Sequence, residues 1–333
     1  MHHDLGKGKI LVTGGAGFIG SALVNHLNRL GHENILVTDF LGTDDKFRNL
    51  VPLRYADYME GDDFLARLEA TPGAFADIKT VFHLGACSAT TEKDARYLVH
   101  NNYEYTKRLA EWSLLNGARF VYASSAATYG DGANGMDDKM TELHRLRPLN
   151  MYGYSKHLFD LHAQRHGYLD KIVGLKFFNV YGPNEDHKGG MVSMVYRAFH
   201  QIRSEGKVKL FKSDRPEYRD GEQMRDFVYV KDAVAIAVFL AENMKAGGLY
   251  NVGSGKARTW LDLMRAIFRA LDMKENIEFI DMPAELKAKY QYFTEADISK
   301  VREAGYDSPQ WSLEDAVADY VRNHLVTGNR LGD

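Results

Sequence analysis

A tyrosine and a lysine stand four residues apart in the run at 151–157, MYGYSKH. On a helix, positions i and i+4 share a face, so the Tyr152 phenol and the Lys156 ammonium can approach one substrate together. The ammonium stabilises phenolate and draws the tyrosine toward acid–base range. A serine hydroxyl would complete a proton-handling cluster, and Ser124-Ser125 stands where the strand-like run FVYAS at 120–124 releases its carboxyl end. Ser125 is the better placed of the two only if the fold brings Tyr152 to it. A further amine, Lys188, lies in the polar, glycine-flexed stretch EDHKGG at 185–190. It reads either as a second acid–base group or as a solvated loop charge.

Such spacings arise often by chance, so their meaning depends on the elements that would position them. The chain opens its ordered part with KILVTGGAGFIG at 9–20: a short apolar run, a glycine cluster, then a helical period. This is the strand–turn–helix of a dinucleotide-binding βαβ unit, with spacing Gly14-x-x-Gly17-x-x-Gly20. The glycines permit a tight turn and close approach to pyrophosphate, and the helix N-terminus faces the anion. The next apolar run, NILVTD at 34–39, ends on Asp39, which suits a carboxylate accepting from the adenosine ribose hydroxyls. Asp39 favours NAD, whereas nearby Lys46 and Arg48 favour the 2′-phosphate of NADP, and the two signals conflict. The strand-like TVFHL at 80–84 runs into Gly85, Ala86, Cys87 and Ser88, small residues that leave room for a cofactor at the sheet edge. His83 within it reads as a packed, hydrogen-bonded core residue, and Cys87 as a small residue beside the cofactor. Asn101-Asn102, opening a long helix, either reach the cofactor or cap a turn. Lys176, inside the apolar run IVGLKFFN at 172–179, either snorkels or pairs. The charged stretch at 212–225 suits phosphate recognition, and Tyr290 is a candidate substrate contact.

With a nicotinamide cofactor, a Ser/Tyr/Lys cluster implies hydride transfer at an alcohol or ketone carbon. A dehydrogenase would release its products. An epimerase would hold them and return the hydride to the other face.

Alternating strand and helix patterns predict an α/β protein: a Rossmann-type doubly wound parallel sheet with a smaller α/β C-terminal substrate-binding domain. The expected division is residues 1–180 as the cofactor domain, to which the chain returns at about 226–256. Residues 181–225 and 257–333 would form mainly the substrate domain. The 333-residue length allows a large core, and a formal net charge of −3 favours neither nucleic acid nor an anionic membrane. The lone cysteine excludes an internal disulfide framework and a multi-cysteine metal site. No apolar run reaches spanning length and the N-terminus lacks a signal-peptide core, so a cytoplasmic protein is expected.

The motifs TGGAGFIG, YASSAATYG, YGYSK and FNVYGP resemble those of extended short-chain dehydrogenases/reductases that modify nucleotide sugars. Longer stretches, HLGACSATT, NNYEYTK, MYGYSKHLFD, GLKFFNVYGPNEDHKG, RDFVYVKD and FTEADISKVREAGYDSP, are similar to the ADP-heptose 6-epimerase branch over essentially the whole chain. The resemblance implies NADP-dependent, redox-neutral inversion at C-6″ of ADP-D-glycero-β-D-manno-heptose. Its product is the L-glycero precursor of the lipopolysaccharide inner core. It implies Tyr152 and Lys188 as opposed acid–base groups, Lys156 on the nicotinamide ribose and Ser125 at the substrate oxygen. Phe18, Ile19, Asp39, Lys46, Leu84, Gly85, Ala86, Cys87, Ser88, Asn101 and Lys188 match cofactor positions. Asn179, Arg225 and Tyr290 match substrate positions, with Gly190, Arg197, Phe211, Lys212, Ser213 and Asp214 as looser candidates. It also implies a homo-oligomer, often a pentamer.

The chain departs from that pattern in four places. Phe40 replaces an asparagine, Gly61 a cofactor-side lysine and Arg197 a substrate-side histidine, and the loop before Arg225 is longer. These leave Lys46 as the main support for NADP. The competing readings are a UDP-hexose 4-epimerase, a net dehydrogenase or reductase, and a non-catalytic dinucleotide-binding regulator.

Overall fold

The computed structural model describes residues 2–287 and 290–333. Among the described residues twelve strands are present in chain order: β1 Lys9–Thr13, β2 Ile35–Asp39, β3 Asp57–Glu60, β4 Ile78–His83, β5 Arg119–Ser125, β6 Val173–Phe177, β7 Asn179–Tyr181, β8 Val208–Phe211, β9 Met224–Tyr229, β10 Gly248–Val252, β11 Ala257–Thr259 and β12 Ile277–Ile280. Seven form one sheet in the order β10-β6-β5-β4-β1-β2-β3, and every neighbouring pair in it is parallel. Parallel strands need crossovers, and the long helices between them cover both faces. Their apolar sides build two cores. One holds Val12, Leu23 and Val37, and the other holds Leu11, Phe64 and Leu109. The strand order reverses between β1 and β4, which opens a crevice at their carboxyl ends. The late run LYNVG joins this sheet as β10, beside β6.

The smaller α/β region holds two short sheets, β11-β9-β7 and β12-β8. One boundary differs from the sequence pattern. The apolar run 172–179 breaks after Phe177, where the Phe178 N–H donates to the Val252 carbonyl at 3.0 Å. The chain then changes sheets, and Asn179 begins β7, paired with β9. A continuous apolar run carries no mark of such a switch.

His83 closes β4 fully buried, its Nδ1 2.7 Å from Thr13 Oγ1 and its Nε2 2.9 Å from Thr106 Oγ1. It is the hydrogen-bonded core histidine that its apolar surroundings suggested. The long helix expected from Asn101 starts earlier, with an α-helical turn Ala95–Leu98 that continues through a π-helical turn Val99–Glu104 into the helix Tyr105–Leu115. That turn sends Asn102 inward: its Oδ1 accepts the Cys87 N–H at 2.8 Å, and its Nδ2 donates to the Cys87 carbonyl at 2.9 Å and to Ser155 Oγ at 3.0 Å. Asn101 instead donates to the Tyr97 carbonyl one turn back. Wide turns of this kind often re-aim a side chain near a functional site.

Burial pushes the His83 pKa down from 6.5 to about 3, helped by the nearby Lys156 charge. Between those values the unfolded chain binds a proton that the folded chain refuses, so stability falls as pH drops through that window. The slope is at most about 1.4 kcal/mol per pH unit. His83→Gln is expected to flatten the acid limb of stability by up to that slope between these two pKa values, read by urea unfolding across pH. An unchanged slope would exclude His83 as its source.

Candidate active site

A cavity of about 890 Å³ runs along the crevice. At one end the glycine loop passes so close to β4 that a Cβ on Gly14 would lie 2.6 Å from the Gly85 backbone, and Gly14 itself has φ +69°. A Cβ on Gly20 would lie 2.0 Å from the Gly14 carbonyl oxygen. Gly17 caps the helix Phe18–Arg29 without any side-chain hydrogen bond. The first-turn N–H groups of a helix lack intrahelical acceptors, and Phe18 and Ile19 line the cavity. This is an anion cradle that only glycine permits, and it fits a dinucleotide pyrophosphate.

Asp39 is buried, and both of its oxygens are engaged. Oδ2 accepts the N–H groups of Ala16 and Gly17 at 2.9 and 3.1 Å, while Oδ1 accepts from Phe40 N–H at 2.7 Å and from Lys46 at 3.1 Å. The two signals that conflicted in the sequence therefore form an ion pair. Its partners are the glycine loop and a lysine, not a free ribose-facing edge. Two departures from the family pattern also meet here. A Cβ on Gly61 would lie 2.7 Å from the Phe40 ring, and both residues line the cavity.

At the other end lie Ser125, Tyr152 and Lys156. Asn150 caps the helix Met151–Arg165, accepting the Gly153 N–H at 2.8 Å. Gly153 lets that helix press against the strand's exit, since a Cβ there would sit 2.8 Å from the Ala127 carbonyl oxygen. Ser125 Oγ accepts the Ala127 N–H at 3.1 Å. The Lys156 ammonium donates to the Ala123 carbonyl at 2.8 Å, and burial pushes its pKa down to about 8, with Asp160 opposing. Tyr152 differs from its sequence expectation. Burial raises its pKa, with the Ser125 hydroxyl drawing it partly back, because desolvation of phenolate outweighs the help available.

Behind this face lies a network that the sequence reading left unresolved. Lys176 and Asp160 are fully buried and pair at 2.9 Å. Asp160 also accepts from Tyr122 and Ser124, both at 2.8 Å, while Lys176 donates to Thr128. Lys176 thus pairs rather than snorkels. Asp160 lies one turn beyond Lys156 on the same helix face, and that spacing was its only sequence signal.

Lys188 enters the cavity from the turn Asp186–Met191, its ammonium 4.9 Å from the centroid of the Phe18 ring. Burial lowers its pKa, with Glu185 opposing. Its ammonium has no hydrogen-bond or ion-pair partner among the described residues.

Apart from Asn102 and from Arg48, which pairs with Asp45 at 3.2 Å, the catalytic and cofactor candidates named from sequence line this cavity, and the substrate candidates other than Ser125 do not. Arg225 lies 5.2 Å from the Tyr290 ring centroid and 5.7 Å from that of Trp260, whose indole N–H donates to the Tyr290 hydroxyl at 3.0 Å. Asp214 bonds to Tyr292, which stacks edge-on with Tyr290 at 5.3 Å. Lys212 pairs with Asp281 at 3.0 Å, Ser213 N–H donates to Asp220 at 2.8 Å, and the Phe211 carbonyl accepts from Gln223 at 3.5 Å. Phe211–Asp214, Arg225 and Tyr290 thus gather around the short sheets as a second, aromatic and cationic cluster. Arg197 donates to the Gly190 carbonyl. Asn179 is exposed on β7 and joins neither group. Sequence reading missed Asp160 and Trp260, and it left the role of Asn102 open between the cofactor and a turn cap. No group of three or more potential metal ligands occurs among the described residues.

Lys176→Met would leave the Asp160 carboxylate buried without its cation. It is expected to cost about 3–5 kcal/mol of stability, measured by denaturant unfolding. Adding Asp160→Asn should recover part of that loss, and a single variant as stable as wild type would refute the ion-pair account.

A family model described as the NAD dependent epimerase/dehydratase family matches residues 10–253, and the chain belongs to that family. The chain is 54% identical over 319 residues to the ADP-L-glycero-D-manno-heptose-6-epimerase of Nitratidesulfovibrio vulgaris, covering 96% of this chain and 98% of that one. It is 49% identical to the enzyme of the same name from Fusobacterium nucleatum, with 95% and 98% covered. The crystal structure of Helicobacter pylori ADP-L-glycero-D-manno-heptose-6-epimerase superposes with a TM-score of 0.78 at 29% identity, covering 97% and 98% of the two chains.

Proposed function

We propose that this member of the epimerase/dehydratase family inverts C-6″ of ADP-D-glycero-β-D-manno-heptose to give the L-glycero epimer. The observation that carries the reading is that Tyr152 and Lys188, far apart in sequence, line one cavity with the glycine loop. Near-full-length similarity to ADP-heptose 6-epimerases supports it further.

The cofactor is an NAD(P) dinucleotide. The glycine cradle and the first turn at Phe18 and Ile19 would hold its pyrophosphate, with Lys46 at the adenosine end and Lys156 on the nicotinamide ribose. Leu84, Gly85, Ala86, Cys87, Ser88 and Asn101 would complete its walls. When bound, the nicotinamide supplies a reversible hydride acceptor, so the reaction needs no net oxidant.

The chain's own contribution is proton handling. Ser125 donates a hydrogen bond to the substrate oxygen at C-6″ and holds it beside Tyr152. Tyr152 and Lys188 are the two acid–base groups, one for each face of the transient C-6″ ketone. Their environments bias them apart: burial favours the protonated phenol and disfavours the lysine's ammonium. The free protein thus holds Tyr152 ready as an acid and eases Lys188 toward acting as a base. The Arg225–Trp260–Tyr290 cluster, with Phe211–Asp214, would serve the nucleotide, while Gly190 and Arg197 would border the heptose. Asn179 has no such support from its position.

The division into a cofactor domain and a substrate domain belongs to the same proposal, as does a homo-oligomeric, pentameric assembly, which sedimentation would test. No helix among the described residues is long and apolar enough to cross a membrane. A cytoplasmic location is proposed from the chain's balanced charge and single cysteine.

Incubation with the D-glycero substrate should give inversion at C-6″ without accumulation of reduced nicotinamide. Tyr152→Phe and Lys188→Met should each slow it by about 10²–10⁴-fold with the fold intact by circular dichroism. Near-wild-type epimerisation by either variant would refute the two-base assignment. Interconversion of UDP-glucose and UDP-galactose with Lys188 dispensable would assign the UDP-hexose reading instead. Net cofactor reduction would mark a dehydrogenase.

NADP is the proposed form, with Lys46 the cation for its 2′-phosphate. Lys46→Ala is expected to weaken NADP binding relative to NAD by about tenfold, measured by calorimetry. An unchanged ratio would remove Lys46 from that role.

A further inference from the structure

Lys188 has no polar partner of its own, yet the four residues before it are each tied down. Asn184 adopts a left-handed conformation, φ +75°, that is uncommon outside glycine. Its side chain spans two elements: Oδ1 accepts the Leu331 N–H at 3.0 Å, and Nδ2 donates to Ser21 Oγ at 3.0 Å on the glycine-loop helix. Glu185 is fully buried, accepting from Ser193 N–H and Oγ at 2.5 and 2.6 Å and from the Tyr320 hydroxyl at 3.0 Å. Asp186 receives a two-pronged guanidinium from Arg330 at 2.9 and 2.6 Å. His187 Nδ1 lies 3.3 Å from Asn49 Nδ2.

Asn49 joins these contacts. Fully buried, it donates to the Ala16 carbonyl at 2.9 Å and to the Asn184 carbonyl at 3.1 Å, and Arg330 donates to its Oδ1. Ala16 belongs to the glycine loop, and Asn49 ends the short 3₁₀ helix Lys46–Asn49. One set of hydrogen bonds therefore links the Lys188 turn to the glycine loop, to the Lys46 helix and to the segment 320–331. An ammonium without its own partner is placed only by the backbone that carries it. A fork such as Arg–carboxylate fixes direction as well as distance.

We propose that Arg330 and Asn49 are positioning residues for Lys188: they form a latch by which segment 320–331 holds the Lys188 turn over the cavity and against the glycine loop. The proposal rests on the reading of Lys188 as an acid–base group. Release of the latch lets the turn sample other positions, so the proton transfer slows while the cavity itself stays formed.

The test uses the full chain with its cofactor. Arg330→Gln is expected to lower kcat for inversion by about tenfold or more, with KM little changed, since small misplacements of a reacting group cost that much. Amide exchange in residues 184–192 should quicken. Arg330→Lys, which keeps the charge but loses the fork, should restore part of kcat. In the Lys188→Met background the Arg330→Gln change should add no further loss, because both act through one group. A kcat within about twofold of wild type, unchanged exchange in 184–192, or an additive loss in the double variant would each overturn the latch. Exchange is read without turnover, so the two ideas fail separately. A fully active Lys188→Met refutes the acid–base reading, and unaltered exchange in Arg330→Gln refutes the latch.

Discussion

The Asp39 carboxylate is the contact on which much of this site depends. It closes β2 and reaches the glycine loop through the Ala16 and Gly17 N–H groups, so it fixes the loop whose shape the cofactor requires. Its other oxygen takes the Phe40 N–H and the Lys46 ammonium, which orients the segment leading into the Lys46–Asn49 helix. From there Asn49 reaches the turn that carries Lys188. A buried anion with four donors is satisfied, whereas one deprived of them would carry the full desolvation cost. Loss of Asp39 would therefore loosen more than one ligand contact.

Behind the chemistry, the Lys176–Asp160 pair plays a comparable part. It sits at the base of β5 and the Tyr152 helix, and Ser124 and Tyr122 tie it to the strand that delivers Ser125. The region is buried, which has consequences for Lys156. Burial pushes that ammonium toward neutrality, and the Asp160 carboxylate one turn away resists. A lysine balanced in this way can hold a sugar hydroxyl without the strong hydration shell of a surface ammonium. Tyr152 experiences the same low polarity with the opposite sign, since its charged form is the anion. Burial thus shifts the proton affinities of the two neighbouring groups in opposite directions, with the Asp160 charge opposing it at Lys156.

The features legible in the sequence were those set locally. The glycine spacing, the Tyr152-x-x-x-Lys156 period and the alternation of strands and helices each follow from backbone geometry over a few residues, and they marked the parallel sheet and the cavity's two ends. Asp39 was legible as a partner of the glycine loop, but its acceptor role there was not, since a strand-end aspartate looks the same whether it faces a ribose or a backbone. The β6–β7 switch was hidden because the strand that β7 joins, β9, lies far along the chain from the apolar run. Asn49 and Arg330 were missed for a related reason. Each is an ordinary polar residue whose role arises from partners that the fold brings from elsewhere, such as Asn49 with Asn184 and Arg330. Polar residues of this sort have no period and no motif.

Phe40 and Gly61 show how departures from a family pattern can be read physically. Taken one at a time, each looked like a loss of a cofactor contact. In the structure they are a single packing unit, since the Phe40 ring occupies the space that any side chain on residue 61 would need. A lysine at 61 and a phenylalanine at 40 in this rotamer exclude one another, so the two substitutions make sense together. The result exchanges a polar and cationic corner for a flat aromatic one, beside the carboxylates of Asp39, Asp44 and Asp62 and the single lysine Lys46. An aromatic face holds an adenine by stacking and is indifferent to the 2′-phosphate. On the proposed reading, discrimination between the two dinucleotides in this chain would therefore rest on Lys46 and on how tightly Asp39 keeps it.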